Sequence, residues 1–346
     1  MRAPRDEGPG VASADARGGP PLAARVFSRL ADGQFHSGEE LAATLAVSRS
    51  AIWKAVRSLR ALGATLHAVP NRGYRLCSGG EALDAKAILA SLPAATRTMM
   101  RRLETAWTVD STNSVLLSRP NPPFGRGEAI LAEYQARGRG RRGRTWLAPP
   151  GGAICLSLSW SYREVPPDLG ALGLAVGVCV LRALHGAGLA GAGLKWPNDI
   201  LVAGRKLGGI LIELRAESAG PACVVIGIGL NVALGETLLQ EIGSLGLPAT
   251  DLATAGLTAS RNTLAAAIIE QVVRGVMRFE REAMRPFFDD WRAADALRGS
   301  QIDVRTAAAT VRGWARGIDL HGALLVETPQ GVQRFISGEV TVRPAQ

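Results

Sequence analysis

Five arginines and three glycines lie within residues 137–144, inside the run Ala132-Glu-Tyr-Gln-Ala-Arg-Gly-Arg-Gly-Arg-Arg-Gly-Arg-Thr-Trp146. Guanidinium groups hold carboxylates and phosphates through paired N–H donors, and glycine lets a backbone come close to a ligand. The stretch follows an apolar, strand-like run, Ala129-Ile-Leu-Ala132. A mobile anion-binding loop at a strand end is the expectation. The spelling Gly138-Arg-Gly140-Arg-Arg-Gly143 satisfies G-x-G-x-x-G, but that fingerprint has to open a helix that receives a pyrophosphate. Here the chain runs into Trp146-Leu-Ala-Pro149-Pro150-Gly-Gly, where the prolines cannot continue a helix. The competing readings are a solvated basic loop and an Arg/Gly tract that binds RNA.

Three further segments hold residues able to act on the same kind of ligand. They are Asp110-Ser-Thr-Asn113, then Lys195-Trp-Pro-Asn-Asp199 followed by Lys206-Leu-Gly-Gly-Ile-Leu211, and Gly227-Ile-Gly-Leu-Asn231. Each has a plain reading by itself. Ser111-Thr-Asn suits a turn or cap at a strand end, and Lys206 a lysine at a strand start. Trp146, Asn198 and Asn231 are types common at loop ends, and Asp199 suits a local hydrogen bond.

The elements that must position these residues begin with composition. A chain of 346 residues, 47% hydrophobic and 20% charged, is globular and long enough for two or three domains. No uninterrupted apolar run reaches the roughly 18 residues of a membrane span. The amino terminus lacks the apolar core of a signal peptide, so a cytoplasmic protein with no membrane partner is expected. Cys77, Cys155, Cys179 and Cys223 are scattered without a C-x-x-C pair, and there are four histidines. A disulfide framework and a structural zinc site are therefore not expected, and no residue is assigned to a metal. The net charge of +10 favours polyanionic partners. Residues 1–80 carry 11 Lys and Arg against 6 Asp and Glu, and the Arg/Gly loop adds five arginines, so two anionic partners, or a partner and a substrate, are implied.

Residues 1–20, rich in Gly, Pro, Ala and Arg without periodicity, read as a disordered tail. Over 21–80 the pattern is a helix from Leu22, a second behind the N-cap Ser37 with Glu40 completing a capping box, and a third over Ser48–Gly63. In the third, Ile52, Val56 and Leu59 form a buried stripe at i, i+4 and i+7. Ala64–Leu76 reads as two short strands around an Asn71-Arg72-Gly73 turn. This is the pattern of a winged helix-turn-helix, with Ser48, Arg49, Ser50, Trp53, Lys54, Arg57 and the hairpin-tip Arg72 as the DNA-facing candidates. The alternative is a small helical domain with solvated charges.

Residues 81–298 change, from about residue 104, to strands alternating with helices. Strands are expected at Ala129–Gln135, Ala153–Trp160, Leu194–Val202, Leu207–Leu214 and Ala222–Val232, and helices at Asp168–Ala187, Ala259–Arg281 and near Pro286–Ala296. This makes an α/β or α+β domain on a mixed sheet. Residues 299–346 hold short alternating strands at 301–305, 309–315, 322–328, 332–336 and 339–343, which suits a small β-barrel. The fold class is thus α+β and multidomain.

With four segments in this order between domains of these kinds, residues 22–343 resemble the bifunctional biotin–protein ligases and biotin-operon repressors. The resemblance implies a biotin/lipoate-ligase-like central domain and an SH3-like terminal barrel. It also implies a two-step reaction in which biotin and MgATP give biotinyl-5′-adenylate and pyrophosphate, after which the biotinyl group passes to one lysine of a biotin carboxyl carrier protein. As implied by the family, Ser111, Thr112, Asn113 and Gln135, with Arg139, Gly140, Arg141 and Lys206, hold biotin. Arg141, Arg144, Trp146, Asn198, Lys206 and Asn231 hold ATP and the adenylate, Trp146 as a wall for adenine. Lys206 and Arg141 are the catalytic candidates, because adenylation develops negative charge that cations must meet. Asp199 is left between Mg²⁺ coordination, orientation of the incoming lysine and a local role. Biotin-operator DNA and a ligand-promoted homodimer complete the expected partners. The other readings are a ligase with a non-regulatory amino-terminal domain, and a lipoate-type ligase or ligand sensor.

Overall fold

The structure is a computed structural model that describes residues 19–77, 81–216, 222–244, 248–307 and 309–342. All but the last two positions of the expected tail over 1–20 lie outside the described residues, as does Arg343 of the final strand.

Three helices, α1 (Leu22–Leu30), α2 (Gly38–Leu45) and α3 (Arg49–Ala61), precede a hairpin of β1 (Leu66–Val69) and β2 (Gly73–Leu76). Ser37 and Ser48 cap α2 and α3 by accepting from the backbone N–H of Glu40 and Ala51. The expected capping box is half made, because the Glu40 carboxylate turns to His36 Nδ1 at 2.9 Å instead of to the cap backbone. Val26, Phe27, Leu30, Leu41, Ile52, Val56 and Leu59 close a core of their own. The Phe27 ring meets Trp107, 5.3 Å between centroids, which joins this core to the rest of the chain.

The central region holds α4 (Ala85–Ser91), α5 (Ala94–Met99), β3 (Met100–Val109), α6 (Thr112–Leu117), β4 (Gly127–Gln135) and β5 (Ala153–Tyr162). There follow α7 (Leu172–Gly186), β6 (Ala192–Lys195), β7 (Asp199–Val202), β8 (Arg205–Ala216), β9 (Ala222–Asn231), α8 (Glu236–Ser244), α9 (Arg261–Glu282) and α10 (Phe288–Ala293). Seven strands form one mixed sheet in the order β3-β4-β5-β9-β8-β7-β6, with β3 and β4 parallel and every other pair antiparallel. The expected strand Leu194–Val202 is in fact a hairpin, β6 and β7, folded at Trp196-Pro197-Asn198 with a cis Trp196–Pro197 bond. Pro197 has no N–H for a ladder, so one continuous central strand is not available there. The expected helix Asp168–Ala187 starts as a 3-10 turn at Leu169–Ala171 before α7. Residues Leu169–Gly186 have the length and mean hydropathy (1.7) of a membrane span, contrary to expectation, but 67% of the segment is buried inside the fold.

Strand alternation divides the sheet into two faces. Ile226, Ile228 and Leu230 of β9 belong to the large core formed with α7 and α9. The other face carries Val225, Gly227, Gly229 and Asn231 on β9, with Cys155 and Ser157 opposite on β5 and Gly209 and Leu211 on β8. Helix α6 covers one end of that face through Leu116 against Ile130 and Val225. The remainder is open to a ligand.

The start of α9 holds the segment that joins the first unit to the sheet. Arg261, 1% exposed, donates to both carboxylate oxygens of buried Glu133 (3.3 and 2.9 Å) and to Ala153 O at 2.8 Å. Glu133 also accepts from the backbone N–H of Leu83 and Gly151, and Asn262 binds Ala82 O and Asp84 N. A buried carboxylate and guanidinium need such partners, and here only the Arg261 Nε is left without one.

The terminal strands β10 (Gln301–Arg305), β11 (Thr310–Ile318), β12 (Leu324–Thr328), β13 (Gly331–Phe335) and β14 (Glu339–Val342) form an antiparallel sheet in the order β13-β12-β11-β10-β14. Among the described residues no pairing of β13 with β14 closes the expected barrel.

Candidate functional site

A cavity of about 800 Å³ lies over the open sheet face, lined by the Arg/Gly loop, the β6–β7 hairpin and the start of α6, with Gly338 and Val340 of the terminal sheet at one side. The four chemically suggestive segments of the sequence therefore meet in one place.

Glycine on β9 makes the room. A Cβ on Gly227 would stand 2.5 Å from Asn113 Oδ1, and one on Gly229 2.5 Å from the Trp146 indole. Alternate glycines thus let α6 and Trp146 rest directly on the sheet.

At the inner end, the Thr112 backbone N–H and hydroxyl both reach Gln135 Oε1, at 2.9 and 3.1 Å. Ser157 Oγ lies 2.7 Å from Thr112 Oγ1 and also contacts Asn113 Oδ1. Ser111 sits at the N-cap of α6, buried, yet its side chain makes no capping bond. Ser111, Thr112 and Asn113 are 4%, 4% and 3% exposed, so these polar groups are withdrawn from bulk water at the floor of the cavity.

The Arg/Gly loop folds back on itself. Trp146 N donates to Gly138 O and Gly140 N to Arg144 O, while Arg142 takes a left-handed φ of 55° in a short 3-10 turn. Arg139 pairs with Glu213 at 3.1 Å and with Ser114 Oγ at 3.1 Å, and Arg141 reaches Asn198 Oδ1 at 3.5 Å. Arg144 is exposed at the rim, and Gly140 and Arg144 both line the cavity. Asn198 lines it too, but its amide also donates to Ile210 O at 2.8 Å and so fastens the β6–β7 hairpin to β8.

Lys206 is the second residue of β8, after a tight turn at Ala203 and Gly204, both with positive φ. Its backbone is pinned between Pro248 O and Thr250 N, and its ammonium lies 2.5 Å from Asp199 Oδ1. At the outer end Asn231, 3% exposed, donates to Thr250 O (2.9 Å) and Lys206 O (3.4 Å). Its Oδ1 is buried without a protein partner. The Trp146 Nε1 is likewise buried and unpartnered. Beneath the indole, burial pushes the Cys155 thiol up to about 11, so it is a neutral floor group.

On the first unit, Ser50, Trp53, Lys54 and Arg57 share one exposed face of α3, with Arg57 stacked 4.9 Å from the Trp53 ring. Arg49 is ion-paired with Glu39, and Ser48 is held at the cap. The wing-tip Arg72 stacks on Phe35 at 4.3 Å, as does Arg75 at 4.8 Å. Phe35, Arg75, Ser157 and Glu213 were not among the residues singled out from the sequence. The alternating serines 157, 159 and 161 in an apolar strand, and a glutamate inside Ile210-Leu-Ile-Glu-Leu214, are signals by which the last two could have been found.

Residues 106–231 match the biotin/lipoate A/B protein ligase family, residues 25–75 a helix-turn-helix domain and residues 299–343 the biotin protein ligase C-terminal domain. The chain is 35% identical over 322 residues to the bifunctional ligase/repressor BirA of Escherichia coli, covering 93% of this chain and 97% of that one. It belongs to the bifunctional biotin ligase/repressor family. The Bacillus subtilis relative of the same name is 30% identical over 320 residues, 91% of this chain and 96% of that one. Among solved structures, the biotin protein ligase from Aquifex aeolicus in complex with biotin and ATP superposes with a TM-score of 0.60 at 26% identity, over 71% of this chain and all of that one.

Proposed function

We propose that this chain is an ATP-dependent biotin–protein ligase that also acts as a biotin-responsive repressor. The observation that carries the enzyme reading is one cavity that joins an uncharged polar floor, an aromatic wall and several cations. The uncharged floor of Thr112, Asn113 and Gln135 suits a cyclic urea, which needs donors and acceptors but no counter-charge. At the other end Asn231, whose Oδ1 is buried without a protein partner, lines the cavity together with Trp146, and an amide oxygen of this kind is an acceptor suited to the exocyclic amine of adenine. Lys206 and Arg141 line the same cavity and are the cations that would meet the reaction as the biotin carboxylate attacks the α-phosphate and pyrophosphate leaves. Their positive charge stabilises the charge that grows on the phosphoryl oxygens. The acceptor lysine amine then attacks the acyl carbon of the mixed anhydride and AMP departs. Until then the Arg/Gly loop keeps water off the intermediate.

Mg²⁺ enters with the nucleotide. Among the described residues no group of three His, Cys, Asp or Glu side chains converges. Asp199, beside Lys206, is the cavity carboxylate that would meet the hydrated ion, which suits Mg²⁺ held mainly by phosphates and water. The ion would neutralise phosphate charge.

Domain limits of 21–80, 81–298 and 299–346 accord with these roles. The exposed basic face of α3 and the arginine-tipped wing support operator binding by a dimer formed with the adenylate. Calorimetric titration with biotin and with lipoate, each with ATP, tests the ligase reading. Tight binding of biotin with pyrophosphate release is expected, and a preference for lipoate would overturn it.

A further inference from the structure

Two arginines of the wing are stacked on one ring. The guanidinium carbons of Arg72 and Arg75 lie 4.3 and 4.8 Å from the centroid of Phe35. A guanidinium resting on a ring face is held by its flat side, and its N–H donors, which lie in its own plane, stay open to another ligand. An ion-paired arginine has spent some of them, as Arg49 has on Glu39 at 2.8 Å. Among the described residues Phe35 is half-buried, yet it stands apart from the core that Val26, Phe27 and Leu59 close and on which Tyr74 packs. Its place is set by the backbone. His36 exchanges both main-chain hydrogen bonds with Tyr74, at 2.9 Å each, and so adds one residue of strand to the wing. In that antiparallel register Phe35 comes opposite Arg75. Gly73, with a φ of 92°, permits the approach, because a Cβ there would run into the His36 carbonyl. The His36 ring is fixed in turn by Asp32 and Glu40 at 2.8 and 2.9 Å. The ring under the two arginines is thus tied to the entry of α2.

We infer that Phe35 is a positioning residue for DNA, holding the Arg72 and Arg75 guanidiniums ready for backbone phosphates beside the stretch that α3 reads. The inference rests on the operator-binding reading above. A free arginine has to be immobilised when a duplex binds, whereas a stacked one is already ordered. Phosphate contacts carry no sequence information, so the ring acts on any duplex alike.

The experiment is a low-salt DNA titration of the full chain with biotin and ATP. It uses a duplex from the biotin promoter of the source genome and a shuffled duplex of equal length. Phe35→Leu keeps an apolar side chain and removes the ring face. It should weaken binding to both duplexes about tenfold, the scale of two exposed stacks. Phe35→Tyr, which keeps the ring, should bind as the wild type does. In an Arg72→Ala, Arg75→Ala background, Phe35→Leu should cost less than about twofold more, because the groups it orders are gone. A ring with a merely structural role would cost the same in both backgrounds. Should Phe35→Leu fail to fold, Arg72→Lys with Arg75→Lys decides the matter. There the charge stays and the flat fork is lost, so binding should again fall about tenfold. Unchanged affinity in Phe35→Leu or in the lysine variant overturns the assignment, as does a loss confined to the promoter duplex or one undiminished in the alanine background. If the wild type binds neither duplex, the operator-binding reading falls instead.

Discussion

At the scale of single residues, the site is a set of cations held ready by partners that a substrate must displace. Lys206 is fixed through its backbone by Pro248 and Thr250 and is ion-paired to Asp199, so its placement does not depend on ligand. Replacing it with alanine should cost about 10²-fold or more in adenylation, the scale of losing one preorganised electrostatic stabiliser. Biotin-dependent pyrophosphate release measures this, and near-normal release would remove Lys206 from the mechanism. The fold should survive, since the side chain is partly exposed at a strand start. Arg141 belongs to the loop and touches Asn198 of the facing hairpin. Arg141→Gly should therefore loosen loop closure and release adenylate, which then acylates unrelated lysines. Incubation with a protein that is not a carboxyl carrier should show diffuse labelling; labelling confined to the carrier would refute this.

At the scale of elements, close approach and local charge do the positioning. Strand β9 lies so near Trp146 that Gly229→Ala would drive the indole off the sheet, with a Cβ 2.5 Å from its ring atoms. The expected outcome is a KM for ATP raised about tenfold with the KM for biotin changed less, because the wall at the nucleotide end moves and the inner floor does not. Equal effects on both substrates would show that the ring serves the whole cavity. In the first unit, His36 lies between Asp32 and Glu40 at 2.8 and 2.9 Å and exchanges both backbone hydrogen bonds with Tyr74 of the wing. Burial alone would lower the His36 pKa, but the hydrogen bonds and charges of Glu40 and Asp32 outweigh it and hold it above the ordinary value of 6.5. A raised folded value means the contribution is complete below 6.5 and is lost as pH rises through that folded value. Glu40, held low by the hydrogen bond from His36, loses its share as pH falls through its own depressed value. Thermal unfolding of this unit should thus be stabilised near pH 6 relative to about pH 8.5 in the wild type, and the difference should shrink in His36→Gln.

At the scale of the whole molecule, two basic surfaces are joined through a buried path. The exposed face of α3 and the wing lie on one unit, the Arg/Gly loop on another, and Phe27 packs on Trp107 between them. One winged helix makes few phosphate contacts, so specific binding at cellular salt calls for a dimer on paired half-sites. DNA from the biotin promoter of the source genome should bind more tightly with biotin and ATP than without, by a coupling of about 1–3 kcal/mol, and should weaken steeply with salt. Removing residues 1–80 should abolish DNA binding while leaving biotinylation largely intact. A salt-series titration with and without the adenylate measures this, and equal affinity in both states would leave a plain ligase.

Much of this was legible from residue order alone. Periodicity placed α1, α3, β4, β5, β8, β9 and α9 to within a few residues, because each has a long apolar face with a clear period. The Arg/Gly loop, Lys206 and Asn231 announced themselves by type and spacing. Short or half-exposed elements did not: β3 with its mixed polar sequence, the six-residue helix α6, and the break of one expected strand into β6 and β7, where Pro197 withholds a ladder bond. Nor could spacing reveal which partners the site residues take. Asn198 binds Ile210 and Arg141, Arg139 binds Glu213, and Ser157 and Asn113 meet across residues far apart in the chain. Residue types and local pattern thus determined the kind of chemistry and most elements. Only the tertiary structure, by setting β5, β8 and β9 side by side beneath α6, decided which hydrogen-bond donors face which acceptors, because that direction depends on contacts between strands distant in sequence.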